Sequence, residues 1–105
     1  MRNTAYHVFF TNLANSLKVD VILCLKEKEM NVSEIVDCLK VEQSKVSHAL
    51  HSLKNCNIVQ SEKKGKQRIY SLHKGTIVPM LNLIDKHSKT FCNKSCKDCK
   101  DYKGK

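Results

Sequence analysis

The stretch that most tightly limits what this chain can fold into runs from Asn31 to Leu72, NVSEIVDCLKVEQSKVSHALHSLKNCNIVQSEKKGKQRIYSL. Asn31 is an N-cap residue type, and Glu34 stands three positions on, the spacing of a capping box. Ile35, Val36 and Leu39 then give a helix one apolar face. Lys40 to Glu42 leaves room only for a sharp turn. On a second helix Val46, Leu50 and Leu53 recur at helical spacing, while Gln43, Ser44, Lys45, Ser47, His48 and His51 make its other face polar or basic and nowhere acidic. Asn57 stands where a left-handed residue commonly ends a helix. Ile58 to Glu62 and Gln67 to Leu72 read as strands around the turn Lys63-Lys64-Gly65-Lys66.

Two helices across a sharp turn, followed by a basic hairpin, are the plan of a winged helix-turn-helix that binds nucleic acid. The expected fold is mainly α with a small β-hairpin, about five helices plus a two-stranded wing. Tyr6, Phe9, Phe10 and Leu13 form an apolar stripe on a first helix over residues 4–14. Asn15 and Ser16 are cap types that begin a second helix. Leu17, Val21 and Leu25, flanked by Val19, Ile22 and Cys24, make that helix apolar nearly all round and hence central. Cys24 there reads as a small buried hydrophobe. Thr76 is placed to cap a last helix that tolerates Pro79 in its first turn and carries Ile77, Met80, Leu81, Ile84 and Phe91 along one side. A chain of 105 residues has a modest core. Its aromatic first helix and one-sided last helix therefore point to a homodimer joined through Tyr6, Phe9, Phe10, Leu13, Ile77, Met80, Leu81 and Ile84. The competing arrangement packs both helices within one chain.

The formal charge of +9 favours a polyanionic partner. On double-stranded DNA, Gln43 suits adenine, and Ser44, Lys45 and Ser47 suit base edges or phosphate. His48 and His51 stand further along the same face and suit either. Lys54, Lys63, Lys64, Lys66 and Arg68 read as phosphate contacts, which set affinity and register more than sequence preference. No nucleophile–base pair, paired carboxylates or phosphate loop is present, so neither an enzyme nor a small organic substrate is expected. No apolar run approaches the ~18 residues that span a bilayer and no signal-peptide pattern opens the chain, so a cytoplasmic protein without membrane contact is expected. In that compartment the six cysteines are thiols or metal ligands rather than a disulfide framework.

Composition changes near Phe91, dividing a winged-helix and dimerisation domain, 1–91, from a Cys/Lys-rich tail, 92–105. Cys92, Cys96 and Cys99 form a C-x3-C-x2-C cluster with Lys94, Lys97 and Lys100 between and beyond them, neighbours that favour thiolate. Three soft sulfurs suit zinc, cadmium, lead or arsenite, with His87 or a partner chain supplying a fourth ligand. On a continuous helix the first and last sulfurs stand about 10 Å apart along the axis, too far to share one ion, so the tail has to unwind or ligands have to come from elsewhere. Metal binding, thiol-based redox sensing and no function are the three readings of the tail. Cys38 and Cys56 lie at helix ends.

FFTNLANSLKVDVILCL together with the 31–72 stretch resembles the ArsR/SmtB family of winged-helix repressors, over roughly Phe9 to Leu72. The most specific matches are Gln43-Ser44-Lys45-Val46-Ser47 with Leu50 and Leu53, then Ile58-Val59, Gly65-Lys66 and Tyr70-Ser71-Leu72. The resemblance implies a homodimer on operator DNA, released by a metal or metalloid ion or, in some members, by thiol oxidation. The family's glutamate-leucine-cysteine-valine-cysteine motif falls on Glu29-Met30-Asn31-Val32-Ser33, where both sulfurs are missing, so that site cannot form here. Asp85-Lys86-His87 matches the start of the family's last-helix zinc pattern, but Asp98 and Asp101 stand where its histidine and glutamate would be. His48 replaces the arginine common in the recognition helix. Cys56 stands where the family usually has a small buried residue, and the resemblance implies burial. Sensing, on this reading, moves to the tail. The alternatives are a constitutive or redox-responsive regulator without a metal inducer, and a winged-helix module for protein or RNA contacts.

Overall fold

Local signals at the helix ends decide where the elements of this computed structural model begin and stop; it describes residues 4–92. The order is α1 Thr4–Leu13, α2 Ser16–Glu27, α3 Val32–Leu39, α4 Gln43–Asn55, β1 Val59–Lys64, β2 Gln67–Leu72 and α5 Ile77–His87, followed by a π-helical turn Ser88–Cys92. The Asn15 side chain accepts from the Lys18 amide and starts α2 at an angle of 79° to α1. The predicted capping box at α3 is complete: Asn31 Oδ1 accepts from the Glu34 amide at 2.8 Å, and Glu34 Oε1 accepts from the Asn31 amide at 2.9 Å. Lys40 ends α3 in the left-handed region, φ 57°, and its amide donates to the Val36 carbonyl. That conformation is uncommon for a residue with a long side chain, and it makes the three-residue turn into α4 possible.

Asn57, φ 59°, ends α4 as expected and completes a Schellman motif. Its amide donates to Lys54 O at 3.0 Å, and the Ile58 amide donates to Leu53 O at 3.0 Å. Ile58 and Leu53 are both fully buried, the apolar contact that accompanies this cap. Ile58 is thus spent on the cap and the first strand begins one residue later than its sequence suggests. The hairpin is also longer. β1 pairs antiparallel with β2 from Val59–Leu72 to Lys64–Gln67, which contracts the expected four-residue turn to Gly65-Lys66. Gly65 has φ 65° and Lys66 does not turn positive, the backbone of a two-residue type II′ turn.

The core gathers Val21, Ile22, Cys24 and Leu25 of α2, Ile35 of α3, Val46, Ala49, Leu50 and Leu53 of α4, Val59 and Leu72 of the hairpin, and Ile77 of α5. α2 is central, as its all-round apolar pattern predicts, and Phe9, Leu13 and Leu81 pack on the cluster's edge. Thr76 occupies the N-cap position of α5, but its side chain does not cap; its hydroxyl stands 3.3 Å from His73 Nδ1, while the Ile77 amide donates to the His73 carbonyl. The side chain of Phe91, expected on the apolar side of the last helix, lies outside the described residues. Among the described residues no single helix is long and apolar enough to cross a membrane.

Candidate nucleic-acid interface

Four apolar residues fix how α4 is turned. Val46, Ala49, Leu50 and Leu53 are buried against the core, which leaves Gln43, Ser44, Lys45, Ser47, His48, His51 and Lys54 exposed. Every candidate base-reading residue therefore lies on the solvent side of one helix. Glu42, at the N-cap, makes no side-chain cap, so no side chain competes for the first amides of α4. A crevice of about 230 Å³ runs between the start of α2 and α4, lined by Asn15, Leu17, Lys18, Ser44, Lys45 and His48. Lys18 was not among the residues expected here. Its ammonium donates to Asn12 Oδ1 at 2.7 Å, which holds a further positive charge beside α4. The signal for it is faint, because Lys18 belongs to α2, outside the helix-turn-helix and hairpin that carry the other candidate contacts.

The hairpin carries the second cluster. Lys63, Lys64, Lys66 and Arg68 are all exposed, with Lys63 facing Arg68 across the register. Arg68 Nη1 donates to Ser61 Oγ at 3.1 Å, so its aliphatic stem lies across the hairpin. Lys64 Nζ stands 3.7 Å from Glu29 Oε1, an exposed pair of little energetic weight. Two contacts tie this wing to the helices. Met30 forms a one-residue antiparallel bridge with Tyr70, and Asn31 Nδ2 donates to Gln67 Oε1 at 2.9 Å. In the stretch 29–33, which holds no cysteine, Met30 is buried in the core and Asn31 is occupied as a cap.

On another face α1, α2 and α5 border an apolar trough of about 210 Å³ lined in part by Phe9, Leu13, Ile22, Leu23, Met80 and Ile84. Tyr6 and Phe10 of α1 and Leu83 of α5 are also exposed, at 64%, 59% and 66%. Phe10 packs edge-on to Phe9 and stacks with Tyr6, so the aromatic residues form one patch. Ile77 also lines the trough, and at 5% exposed it is at the same time part of the protomer's own core. Leu23, which also lines the trough, was missed, since the sequence does not say which side of the nearly all-apolar α2 meets this face.

Cys92 closes the π-helical turn, while Cys96 and Cys99 lie outside the described residues. Among the described residues no group of three or more His, Cys, Asp or Glu could hold a metal ion. The Asp85 carboxylate, which begins the Asp85/His87 pair, is ion-paired at the surface with the Lys26 ammonium. Cys56 is half-buried rather than buried, and its sulfur accepts from Asn12 Nδ2 at 2.9 Å. Cys24 is buried as expected, but it is more than packing: its sulfur lies 2.7 Å from that of exposed Cys38.

A helix-turn-helix with an exposed polar and basic second helix, joined to a basic antiparallel hairpin, defines a winged helix-turn-helix domain. The profile of bacterial regulatory proteins of the arsR family matches residues 15–61 of this chain. It is 27% identical over 77 residues to the HTH-type transcriptional regulator NmtR of Mycobacterium tuberculosis, an alignment covering 73% of this chain and 64% of the relative. With the HTH-type transcriptional repressor SmtB of the same species it shares 37% identity over 60 residues, 57% of this chain and 44% of the relative. The chain thus spans between about half and two thirds of the length of these relatives. Among solved structures, a homodimeric winged helix-turn-helix DNA-binding domain from Mycobacterium bovis superposes with a TM-score of 0.75 at 17% identity, covering 82% of this chain and 80% of that one. HlyU from Vibrio cholerae superposes at 0.70 with 22% identity, covering 85% and 94%. At such identities these two likenesses establish the fold.

Proposed function

We propose that the protein is a DNA-binding transcriptional regulator, a repressor of the ArsR type, that occupies operator DNA as a homodimer. The observation that carries this reading is the α4 face: seven polar or basic side chains, from Gln43 to Lys54, exposed on a helix whose remaining side is locked into the core. Such a helix presents base-reading groups to the major groove, while Lys63, Lys64, Lys66 and Arg68 neutralise phosphates from the wing. The apolar trough with Tyr6, Phe10 and Leu83 supplies a face that a second copy would cover, and the M. bovis structure is a homodimer of the same fold. Lys18 adds a phosphate contact at the edge of the recognition helix.

The release signal belongs to the tail. Cys92, Cys96 and Cys99, three soft sulfurs among lysines, fit a thiophilic ion such as zinc, cadmium, lead or arsenite, with His87 or the partner chain completing the set. A bound ion would supply a cross-link between thiolates, and to release DNA it has to favour the non-binding arrangement of the dimer by a few kcal/mol. Footprinting of an operator complex at increasing salt tests the DNA reading, which fails if protection is the same on random sequence. Titrating zinc, cadmium and arsenite into that complex tests the tail. Unchanged affinity, or equal release from Cys92→Ser, rules the tail out.

A further inference from the structure

The sulfur–sulfur distance of 2.7 Å between Cys24 and Cys38 is much shorter than two thiols need for packing alone. A disulfide bond measures about 2.05 Å, so bonding requires the sulfurs to close by roughly 0.6 Å and no helix to move far. The two residues differ in access. Cys24 is 5% exposed on the inner side of α2, whereas Cys38 lies at the open end of α3. We propose that Cys24 and Cys38 form a reversible dithiol–disulfide site, oxidised by a hydroperoxide, that staples α2 to α3. This site is separate from the tail cysteines, and its chemistry does not depend on whether the chain binds DNA.

The order of events follows from access. The Cys38 thiolate attacks one oxygen of hydrogen peroxide, breaking the O–O bond; the departing hydroxide takes up a proton and leaves as water. Cys38 is then a sulfenic acid. The Cys24 sulfur attacks the Cys38 sulfur, forming the S–S bond and displacing hydroxide, which leaves as a second water with the Cys24 proton. Two thiols and one peroxide thus give one disulfide and two waters, the two electrons passing from sulfur to oxygen. Cys24 acts as the resolving thiol because the protein covers it; burial, then the hydrogen bond to Cys38, pushes its pKa up to about 12 and keeps it protonated until the second step. The position of the bond gives it a mechanical consequence. Cys38 is two residues ahead of the left-handed Lys40 that turns the chain into α4, so the staple fixes the joint from which α4 is launched.

The experiment uses the full chain carrying Cys92→Ser, Cys96→Ser and Cys99→Ser. The reduced protein is exposed to hydrogen peroxide, denatured, alkylated and digested without reductant. The expected result is a Cys24–Cys38 linked peptide lighter by two hydrogens, with only Cys56 alkylated, and full return of both thiols after dithiothreitol. Adding Cys38→Ser is expected to leave Cys24 alkylatable after the same exposure. Full alkylation of Cys24 and Cys38 in the peroxide-treated protein would overturn the proposal, as would Cys24 oxidation persisting without Cys38.

Discussion

Met30 and Tyr70 exchange both backbone hydrogen bonds of an antiparallel pair, the Met30 amide to the Tyr70 oxygen at 3.1 Å and the Tyr70 amide to the Met30 oxygen at 2.8 Å. The residue just ahead of α3 is therefore clamped to the returning strand of the wing. With Asn31 capping α3 and its side-chain Nδ2 donating to Gln67 Oε1, helix pair and hairpin are tied at the same point. A wing anchored there is held in place relative to α3 and α4.

Asn31 carries both sides of this junction, so Asn31→Ala is expected to destabilise the fold by about 1 kcal/mol, and by no more than ~2, in urea denaturation. Asn31→Asp keeps an acceptor for the Glu34 amide and adds a negative charge at the helix N-terminus, so it is expected to restore most of the loss. Equal destabilisation by the two substitutions would mean that the contact to Gln67, not the cap, is what matters.

Lys64 and Gln43 separate affinity from discrimination. Lys64→Ala is expected to weaken binding to all DNA and to reduce the slope of log affinity against log salt by about one unit. Its pair with Glu29 is exposed and does not take Lys64 out of play. Gln43→Ala is expected to lose about 1–3 kcal/mol on the operator and little on random sequence. Competition binding over a salt series measures both, and equal losses on random DNA would contradict this division of roles.

Phe10 is 59% exposed in the single chain and sits between Phe9 and Tyr6. Phe10→Glu is expected to leave protomer stability within about 0.5 kcal/mol, because an exposed side chain contributes little to the core. It is expected to shift sedimentation from dimer to monomer at micromolar concentration. A dimer that persists unchanged would place the subunit interface elsewhere.

The recognition unit was legible because its signals are local: a capping box, a helical period and a left-handed Asn57 each specify structure within a few residues. Element ends were less so. Ile58 looks like a strand residue by composition, but the Schellman cap of α4 takes its amide and buries its side chain against Leu53. The hairpin turn contracts because Gly65 alone supplies the positive φ that a two-residue loop needs, leaving Lys63 and Lys64 to the strand. Ile77 shares a helical stripe with Met80 and Ile84, and nothing in that spacing says that one of the three faces inward. The Met30–Tyr70 bridge and the Cys24–Cys38 contact join residues 40 and 14 positions apart, and no periodicity encodes either.

Cys24 makes the last prediction a matter of pH. Burial first, then the hydrogen bond and charge of Cys38, then the charge of Asp20, raise its pKa from 9.0 to about 12. The folded state therefore holds this proton more tightly than the unfolded chain does. Its contribution to stability is present in full below pH 9 and is lost as the pH rises through 12. Lysines and tyrosines titrate over the same range, so the comparison is with Cys24→Ala under reducing conditions, where a constant packing loss shifts the whole curve without changing its slope. Between pH 9 and pH 11 the wild type is expected to lose unfolding free energy more steeply than Cys24→Ala. Parallel curves would show that the buried thiol ionises no less readily in the folded protein than in the unfolded chain.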